Sequence, residues 1–390
     1  MIKKIISINM KKNNKNPEVS IILPCLNEEQ SLGACLERIK KVVRKNNLNA
    51  EIIVVDNGST DNSSKIAKRK KVKIVYEPER GYGSAFLKGF ETAKGKYFFC
   101  ADSDGSYDFN EIPRFIEELK KGSDFVVGNR FKGKIEKGAM PWFHRYIGNP
   151  MLSGILRLFF KTKIQDVHCG MRAITKKALK ELNLRATGME FASEMVIQAV
   201  KKNLKIKEIP INYHKRKGTS KLKSFQDGWK HLRFMLLYSP LFLFFIPGVL
   251  LFLIGLISIV WLYFGSPNIF GIKFQYHPMF SSALLIIIGY QLIIFSLFAK
   301  TYAIIHLEEN SSIVNFLNKY LTIEKAGIVG IIIILLGIII FATIFLKWLN
   351  TGFGELDEIK NSIAALILII VGIQTIFSSF MLSILGIKEK

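Results

Sequence analysis

The sequence has 390 residues, 49% of them hydrophobic, and a formal net charge of +24 from 55 Lys and Arg against 31 Asp and Glu. This composition excludes a disordered chain, a collagen-like fibre and a small secreted domain held together by disulfides. From Pro240 onward eight lysines face seven acidic residues, so nearly all of the excess positive charge precedes Pro240.

The part of the chain before Pro240 predicts alternating strands and helices. Residues 1–17 alternate Lys and Asn with short apolar pieces and lack the apolar core of a signal peptide, so we expect a flexible basic tail. Strands that alternate with helices predict an α/β domain with a Rossmann-like, mostly parallel sheet covered on both faces. Runs rich in β-branched and aromatic residues predict five such strands, at 19–23, 51–55, 72–76, 96–101 and 124–128.

Polar side chains follow the predicted strands, where ligands of parallel sheets bind. They are Asn27, Glu28, Asp56, Asp102, Asp104, Asn129 and Arg130. Asp102 and Asp104, with Gly105 next, can face one hard divalent cation through oxygen ligands. Such a cation would neutralise a diphosphate and stabilise it as a leaving group. The competing interpretation is a capped turn, in which Asp and Gly are common.

Other patterns before Pro240 give weaker evidence for a binding or catalytic site. Residues 80–89 are glycine-rich, but Phe86 stands where a dinucleotide-binding turn needs its third glycine, so tight helix packing explains them equally well. His168 and Cys169 lack a partner pair at zinc-site spacing. Three further histidines stand beside basic or aromatic residues and are expected to face solvent or phosphate rather than to catalyse: His144, His214 and His231.

Two stretches combine aromatic, aliphatic and cationic residues, about 140–163 and 220–239. Helices of this kind lie in the plane of the lipid headgroups, where their cations meet anionic phosphates. The alternative is an ordinary surface helix, which the attached membrane segment disfavours. Membrane lipids also account for the positive charge without nucleic acid, because no module that reads nucleic acid is recognisable.

The part after Pro240 predicts a membrane domain, residues 240–390. One uncharged apolar run long enough to cross a bilayer could be a buried core helix, but a series joined by short polar connectors predicts a four-helix transmembrane domain. Gln291 and Gln374, the polar exceptions, are expected to join helices rather than bind a ligand. The four runs are residues 241–264, 279–299, 327–346 and 362–385.

The distribution of Lys and Arg predicts the orientation of the membrane domain. The connector 300–326 holds three lysines and the end of the chain holds Lys388 and Lys390, whereas residues 265–278 hold one lysine. Together with the basic N-terminal domain, this places both termini and the catalytic domain in the cytoplasm. The protein is therefore predicted to be a multi-pass membrane protein, and whether it forms a homo-oligomer stays open.

Several motifs, taken in chain order, resemble the family 2 glycosyltransferases with the GT-A fold. The resemblance covers roughly residues 18–239 and is closest to the polyprenyl-phosphate glycosyltransferases of the dolichyl-phosphate mannose synthase type. The membrane part is similar to GtrA-like domains in its four-helix plan alone. The motifs are Val19-Ser-Ile-Ile-Leu-Pro-Cys-Leu-Asn-Glu-Glu29, Val55-Asp-Asn-Gly-Ser-Thr-Asp61, Asp102-Ser-Asp104, Gly128-Asn-Arg130, Asp166-Val-His-Cys-Gly-Met-Arg172, Glu190-Phe-Ala-Ser-Glu194 and Arg216-Lys-Gly-Thr-Ser-Lys221.

The resemblance implies a role for each matching residue. Asp102 and Asp104 would hold Mg2+ or Mn2+ on the donor diphosphate, with Asp104 and Arg130 as the catalytic residues. Many relatives have Gln as a third metal ligand where this chain has Ser106, so Ser106, water or Asp108 could serve. The resemblance places Pro24, Leu26, Glu28 and Asp56 in the nucleotide base pocket. It places Arg216 and Lys221 on a loop that closes over the donor phosphates. The acceptor phosphate would bind to Arg130 and Arg145.

The resemblance also implies the reaction. A hexose would pass with inversion from a nucleotide sugar to a polyprenyl or dolichyl phosphate at the cytoplasmic membrane face, giving a lipid-linked sugar for glycosylation. GDP-mannose is favoured on resemblance alone, and UDP-glucose or another UDP-sugar stays open. A processive polysaccharide synthase is disfavoured because the stretch from Gln226 to Lys230 supplies no Q-x-x-R-W motif. A lipid-linked sugar flippase and a non-catalytic nucleotide receptor are the rivals from other classes.

Overall fold

The structure is a computed structural model that describes residues 16–218, 224–265, 267–269, 272–274, 276–306 and 323–386. Residues 1–15 of the predicted tail lie outside the described residues, and so does Lys221. The chain divides into two compact units, Met1–Met235 and Leu236–Lys390.

The first unit is built on a seven-stranded sheet in the order β3-β2-β1-β4-β6-β5-β7. All neighbouring strands are parallel except that β6 runs antiparallel to both β4 and β5. The predicted mostly parallel α/β fold is therefore confirmed. The strands are β1 Val19–Cys25, β2 Ala50–Asp56, β3 Lys73–Tyr76, β4 Tyr97–Cys100, β5 Phe125–Asn129, β6 Arg172–Thr175 and β7 Ile206–Pro210.

Helices cover both faces of the sheet and bury its central strands. Continuous apolar runs such as Ile21-Ile22-Leu23, whose side chains have no exposed surface, are typical of strands covered on both faces. Glycine permits one close approach between a helix and the sheet: a Cβ on Gly89 would lie 2.4 Å from Ile22 Cγ2. The helices of this unit are α1 Leu32–Lys45, α2 Ser63–Arg69, α3 Tyr82–Thr92, α4 Ile112–Lys120, α5 Asn149–Phe160, α6 Lys176–Leu182, α7 Phe191–Lys201 and α8 Ser224–Leu237, which extends two residues into the second unit.

Two strands, β6 and β7, are absent from the sequence-based prediction. β6 has one large apolar residue among its four and follows a loop, and β7 has two adjacent charged residues in its middle and ends in Pro210, so neither gives a strong strand signal. The antiparallel direction of β6 has a consequence for the site. It brings the segment before β6, residues 166–171, to the sheet edge where the parallel strands end.

The second unit contains four helices that are long and apolar enough to cross a membrane, and the protein is an integral membrane protein. The first span, Leu241–Phe264, coincides with its predicted apolar run, and the other three extend further than predicted because polar residues continue the helices at their ends. Within the unit, α10 packs on both α9 and α12, and α11 packs on α12. The helices are α9 Ile246–Phe264, α10 His277–His306, α11 Ile323–Asn350 and α12 Ile359–Gly386, with a π-helical turn, Leu241–Phe245, before α9 and a short hairpin, β8 Asn268–Ile269 and β9 Ile272–Lys273, after it.

Glycines bring these helix backbones into contact. A Cβ on Gly289 of α10 would lie 2.4 Å from the Phe252 nitrogen of α9, and one on Gly372 of α12 would lie 2.7 Å from the Gly330 carbonyl oxygen of α11. The glutamine prediction is confirmed, since Gln374 Nε2 donates to Gln291 Oε1 at 2.9 Å.

Candidate active site

The first unit has a cavity of about 490 Å³ at the carboxyl ends of its parallel strands. The cavity collects polar residues from strand ends that are far apart in the sequence. Of the predicted site residues, Pro24, Leu26, Glu28, Asp102, Asp104, Arg130 and Arg216 line it.

The two carboxylates after β4 form the acidic side of the cavity. Tyr82 donates its hydroxyl to Asp102 Oδ1 at 2.9 Å, and Asp104 Oδ1 accepts the Ser106 backbone N–H at 2.9 Å and the Ser106 hydroxyl at 2.5 Å. Burial, together with the neighbouring Asp104 carboxylate, raises the pKa of Asp102 to about 7. Two neighbouring carboxylates that repel each other in this way, one buried and one half-buried, fit a divalent cation, because hard cations prefer oxygen ligands.

The two candidates for a further metal ligand are already hydrogen-bonded. Ser106 directs its hydroxyl to Asp104, and Asp108 Oδ1 accepts the Asn110 backbone N–H at 3.0 Å at the start of a short helical turn. Among the described residues, no group of three or more His, Cys, Asp or Glu side chains could hold a metal. Asp102, Asp104 and Ser106 as metal ligands stay predictions.

Arg216 approaches the same carboxylates from the segment after β7. Its Nη2 lies 3.2 Å from Glu28 Oε1, and its Nη1 lies 3.7 Å from Asp104 Oδ2. The Lys217 backbone N–H donates to the Asp104 carbonyl at 2.9 Å, which fixes this segment to the acidic turn. A guanidinium thus stands beside the acidic pair, where donor phosphates would need a cation.

Arg130 lies on the cavity wall in a buried ion pair with Asp166. Its Nε and Nη2 donate to the two Asp166 oxygens at 2.8 Å each, and its backbone N–H donates to Asp166 Oδ2 at 2.9 Å. The Tyr213 ring lies 5.2 Å from the guanidinium carbon. This bidentate contact holds the guanidinium plane in one orientation. The sequence contained Asp166 in a motif but gave no sign of its partner.

Asp166 belongs to a loop that is fastened at several points. The buried Arg172 guanidinium donates to the carbonyls of Val167 at 2.6 Å, Cys169 at 2.8 Å and Ala192 at 2.8 Å. The loop also contacts the acidic side of the cavity, because a Cβ on Gly170 would lie 2.6 Å from Asp102 Oδ2. Residues 166–172 therefore connect Arg130 to the carboxylate pair.

Three predicted site residues lie apart from the cavity lining in the described part of the chain: Ser106, which bonds to Asp104 as described above, Asp56 and Arg145. Asp56 Oδ1 accepts the Ser59 backbone N–H at 2.8 Å and its other oxygen accepts the Ser64 hydroxyl, while its neighbour Asn57 lines the cavity. Arg145 is half-buried on the π-helical turn His144–Gly148, with its guanidinium carbon 5.3 Å from the Tyr146 ring centre. Their binding roles stay predictions.

The sequence gave no indication of a histidine pair that lines the cavity. Ser193 Oγ of α7 lies 3.3 Å from His168 Nε2 and 2.9 Å from His231 Nδ1 of α8, and the two rings are 4.5 Å apart. The expectation that His231 faces solvent is wrong, because its side chain is 6% exposed. α8 folds back onto α7 and buries this side chain, a tertiary contact that local sequence does not encode.

The predicted interfacial stretches carry exposed apolar side chains. On the first stretch, Trp142 is 67% and Leu158 is 63% exposed, and on α8 Phe225 is 90% exposed. Basic residues accompany them, among them Arg157 on α5. An apolar surface with cations is suited to a lipid headgroup layer.

Comparison with known proteins identifies the family. Residues 20–183 match the model of glycosyl transferase family 2, and residues 297–386 match the glycosyltransferase family 2 C-terminal transmembrane region, which replaces the comparison with GtrA-like domains. The low-salt glycan biosynthesis hexosyltransferase Agl6 of Haloferax volcanii is 35% identical over 95% of this chain and 89% of its own. The dolichol-phosphate mannosyltransferase of Pyrococcus furiosus is 31% identical over 53% of this chain and 59% of its own.

Among solved structures, glucosyl-3-phosphoglycerate synthase from Mycobacterium tuberculosis, in complex with Mn2+, uridine diphosphate and product, aligns with a TM-score of 0.47 and 19% identity. That alignment covers 56% of this chain and 79% of the other. The assignment of this chain depends instead on the family models and on the relative that matches it almost from end to end. The protein is accordingly an enzyme of glycosyltransferase family 2 with a C-terminal transmembrane region.

Proposed function

We propose that the protein transfers a hexose from a nucleotide sugar to a polyprenyl phosphate of the dolichyl type, with GDP-mannose as the donor. The observation that carries the proposal is the arrangement of charges in one cavity. A carboxylate pair suited to a metal-bound diphosphate, buried Asp104 and half-buried Asp102, lies on one side, and the buried guanidinium of Arg130, suited to a second phosphate, lies on another. The names of two relatives, a hexosyltransferase and a dolichol-phosphate mannosyltransferase, support transfer of a hexose to a dolichyl-type phosphate.

The donor would bind with its diphosphate at the acidic side of the cavity. A divalent cation, Mg2+ or Mn2+, held by Asp102 and Asp104 would neutralise charge on the leaving diphosphate. Arg216, beside Glu28 and Asp104, would add a guanidinium on the phosphate oxygens. Pro24, Leu26 and Asn57 line the cavity next to these groups and would bound the nucleoside.

The acceptor phosphate would bind at Arg130 and attack the sugar. Asp166 occupies Nε and one Nη of the guanidinium, which leaves the other edge of the planar group for phosphate oxygens. One acceptor oxygen forms a bond to the anomeric carbon while the bond from that carbon to the diphosphate oxygen breaks, and its electron pair leaves with the nucleoside diphosphate. Because the phosphate is already an anion near neutral pH, positioning and charge stabilisation suffice without a strong base.

The membrane location follows from the same proposal. The acceptor is a lipid, so its phosphate must reach the cavity from a headgroup layer. The exposed Trp142 and Phe225 side chains would contact that layer. The Lys and Arg distribution favours a cytoplasmic location for the catalytic domain and both termini.

The test uses purified full-length protein in detergent with Mn2+ and a short polyprenyl phosphate. Labelled GDP-mannose and UDP-glucose are offered separately, and label is counted in the organic phase. We expect label from GDP-mannose, and none without lipid or after removal of the metal. Label from UDP-glucose alone would retain the reaction and replace the sugar. Absence of transfer from a wide donor panel, with metal and lipid varied, would overturn the proposal.

A further inference from the structure

One wall of the cavity has no role in the proposed binding of either phosphate. It is formed by the start of α7, by His168 and by α8. The α8 residues repeat at the spacing that places side chains on one face of a helix. They are Gln226, Asp227, Lys230 and His231.

This wall carries little net charge of its own. Lys230 Nζ lies 3.8 Å from Asp227 Oδ1, so the cation and the carboxylate offset each other. Burial favours the neutral form of both imidazoles: it lowers the pKa of His231 to about 4, and together with the neighbouring His231 and Arg130 it lowers the pKa of His168 well below its usual value. A wall of neutral imidazoles, an amide and a compensated carboxylate does not suit a phosphate.

The hydrogen-bonding capacity of the wall is not fully used within the protein. Ser193 engages one nitrogen of each imidazole, His168 Nε2 and His231 Nδ1. His168 lines the cavity, and among the described residues its buried Nδ1 has no hydrogen-bond partner. Buried polar atoms are nearly always paired, so the hydrogen bonds within the described protein leave this imidazole incompletely satisfied. A ligand group that satisfies it must be able to bond to neutral nitrogen, as a hydroxyl does.

The wall lies where a hexose would have to be. The anomeric carbon must stand between the diphosphate at Asp102 and Asp104 and the acceptor phosphate at Arg130. The loop that carries His168 contacts both places, through Asp166 to Arg130 and through Gly170 to Asp102. The sugar ring that projects from the anomeric carbon therefore meets this loop and α8.

We infer that His168, His231, Gln226 and Asp227 form the hexose-recognition wall, which binds the sugar hydroxyls and determines which hexose is transferred. This inference rests on the proposed function, because it takes the donor to be a hexose nucleotide. Ser193 acts as a positioning residue, since it fixes both rings through its hydroxyl.

The test separates recognition of the sugar from recognition of the nucleotide. His231→Asn keeps an amide where His231 Nδ1 bonds to Ser193 and removes Nε2, and Gln226→Ala truncates an exposed side chain whose loss the fold tolerates. His277→Asn, an exposed histidine of α10 in the second unit, is the matched control. For each protein, kcat/KM is measured with the preferred donor and with an epimer that differs at one hydroxyl. Binding of the preferred donor and of its free nucleoside diphosphate is measured alongside.

We expect His231→Asn and Gln226→Ala to lower the preference for the natural hexose over its epimer by about tenfold each, as loss of a hydrogen bond to a substrate hydroxyl does. Affinity for the free nucleoside diphosphate should stay within about twofold, and His277→Asn should match the wild type. Provided that the wild type still transfers the hexose, two results would overturn the inference. One is an unchanged preference between the epimers, and the other is an equal loss of affinity for the nucleotide sugar and for the free nucleoside diphosphate. Lack of transfer by the wild type would count against the proposed function, and the two binding constants would still decide whether the wall contacts the sugar.

Discussion

The two units of the molecule handle buried polar groups in opposite ways. In the catalytic unit, charged side chains lie inside the protein, and each is held by several bonds, as Arg130 is by Asp166 and Arg172 is by three carbonyls. In the membrane unit, the described helices meet at close backbone contacts of glycines and through a few uncharged side-chain hydrogen bonds, such as those of Gln374 with Gln291 and of Tyr290 with Thr375 between α10 and α12.

The difference follows from the surroundings in which each unit folds, which are water for the catalytic unit and lipid for the membrane unit. Water drives apolar groups into the catalytic core, which can then support the burial of a few charges that chemistry needs. Lipid gives helices no comparable drive to associate, so close van der Waals contact at small residues has to hold them. Substitutions should therefore have large effects in the cavity and graded effects among the membrane helices.

The largest effect is expected at the carboxylate pair. Asp104→Ala should lower turnover by about 1000-fold or more, because it removes a ligand for the cation and a fixed charge at the reacting centre. The protein should remain folded and membrane-bound. Labelled hexose in the lipid fraction measures turnover, and Asp124→Asn, which keeps the acceptor for the Lys205 N–H at the opposite end of β5, is the control. Normal turnover in purified Asp104→Ala protein would refute the metal assignment.

The next effect concerns the ion pair beneath Arg130. Asp166→Asn leaves the buried guanidinium without its counter-charge, which should cost about 3–5 kcal/mol of unfolding free energy. Turnover should fall by about 100-fold, since the guanidinium loses its fixed orientation. Denaturant unfolding and kcat are the measurements. The control Glu91→Gln, which breaks the exposed ion pair with Lys88, should change neither the unfolding free energy nor kcat. Wild-type stability and kcat in Asp166→Asn would show that Arg130 needs no partner.

Overpacking at a glycine contact should have a smaller effect, confined to stability. Gly289→Val places atoms where the α9 backbone lies and should lower stability by about 1–3 kcal/mol. Gly327→Val, on a helix position with nothing within 4 Å, should be nearly silent. Thermal unfolding in detergent compares the two, and turnover per folded molecule should change less than about twofold. Equal unfolding temperatures for both variants would mean that the backbone contact contributes nothing.

The smallest effect is expected at the glutamine pair. Gln374→Leu and Gln291→Leu should each cost about 0.6 kcal/mol, the usual size of one interhelical hydrogen bond in a membrane. The double variant should cost less than the sum, because neither partner is left unpaired. A double-mutant cycle on thermal stability measures the coupling, and strictly additive losses would argue against the bond.

Much of the fold could be predicted because its signals are local. The run Ile21-Ile22-Leu23 indicates a buried strand, and apolar runs longer than a bilayer is thick indicate membrane helices whatever surrounds them. β6 escaped prediction because Ile174 is the one large apolar residue among its four, and its antiparallel direction depends on neighbours that are distant in the sequence.

Part of the site could be predicted for the same reason. Asp102, Asp104 and Arg130 follow strands directly, so their position at the carboxyl edge follows from the strand pattern. Asp166, Ser193 and His231 come from a loop and two helices, and only packing brings them to the cavity.

The sequence by itself determined the alternation of strands and helices, the membrane segments and the acidic pair, since periodicity, run length and adjacent carboxylates are properties of short stretches of chain. The tertiary structure alone decided which charges pair and which rings meet. Partners such as Arg130 and Asp166, or His168 and His231, are separated by 36 and 63 positions, and only the direction of β6 and the return of α8 onto α7 make them neighbours.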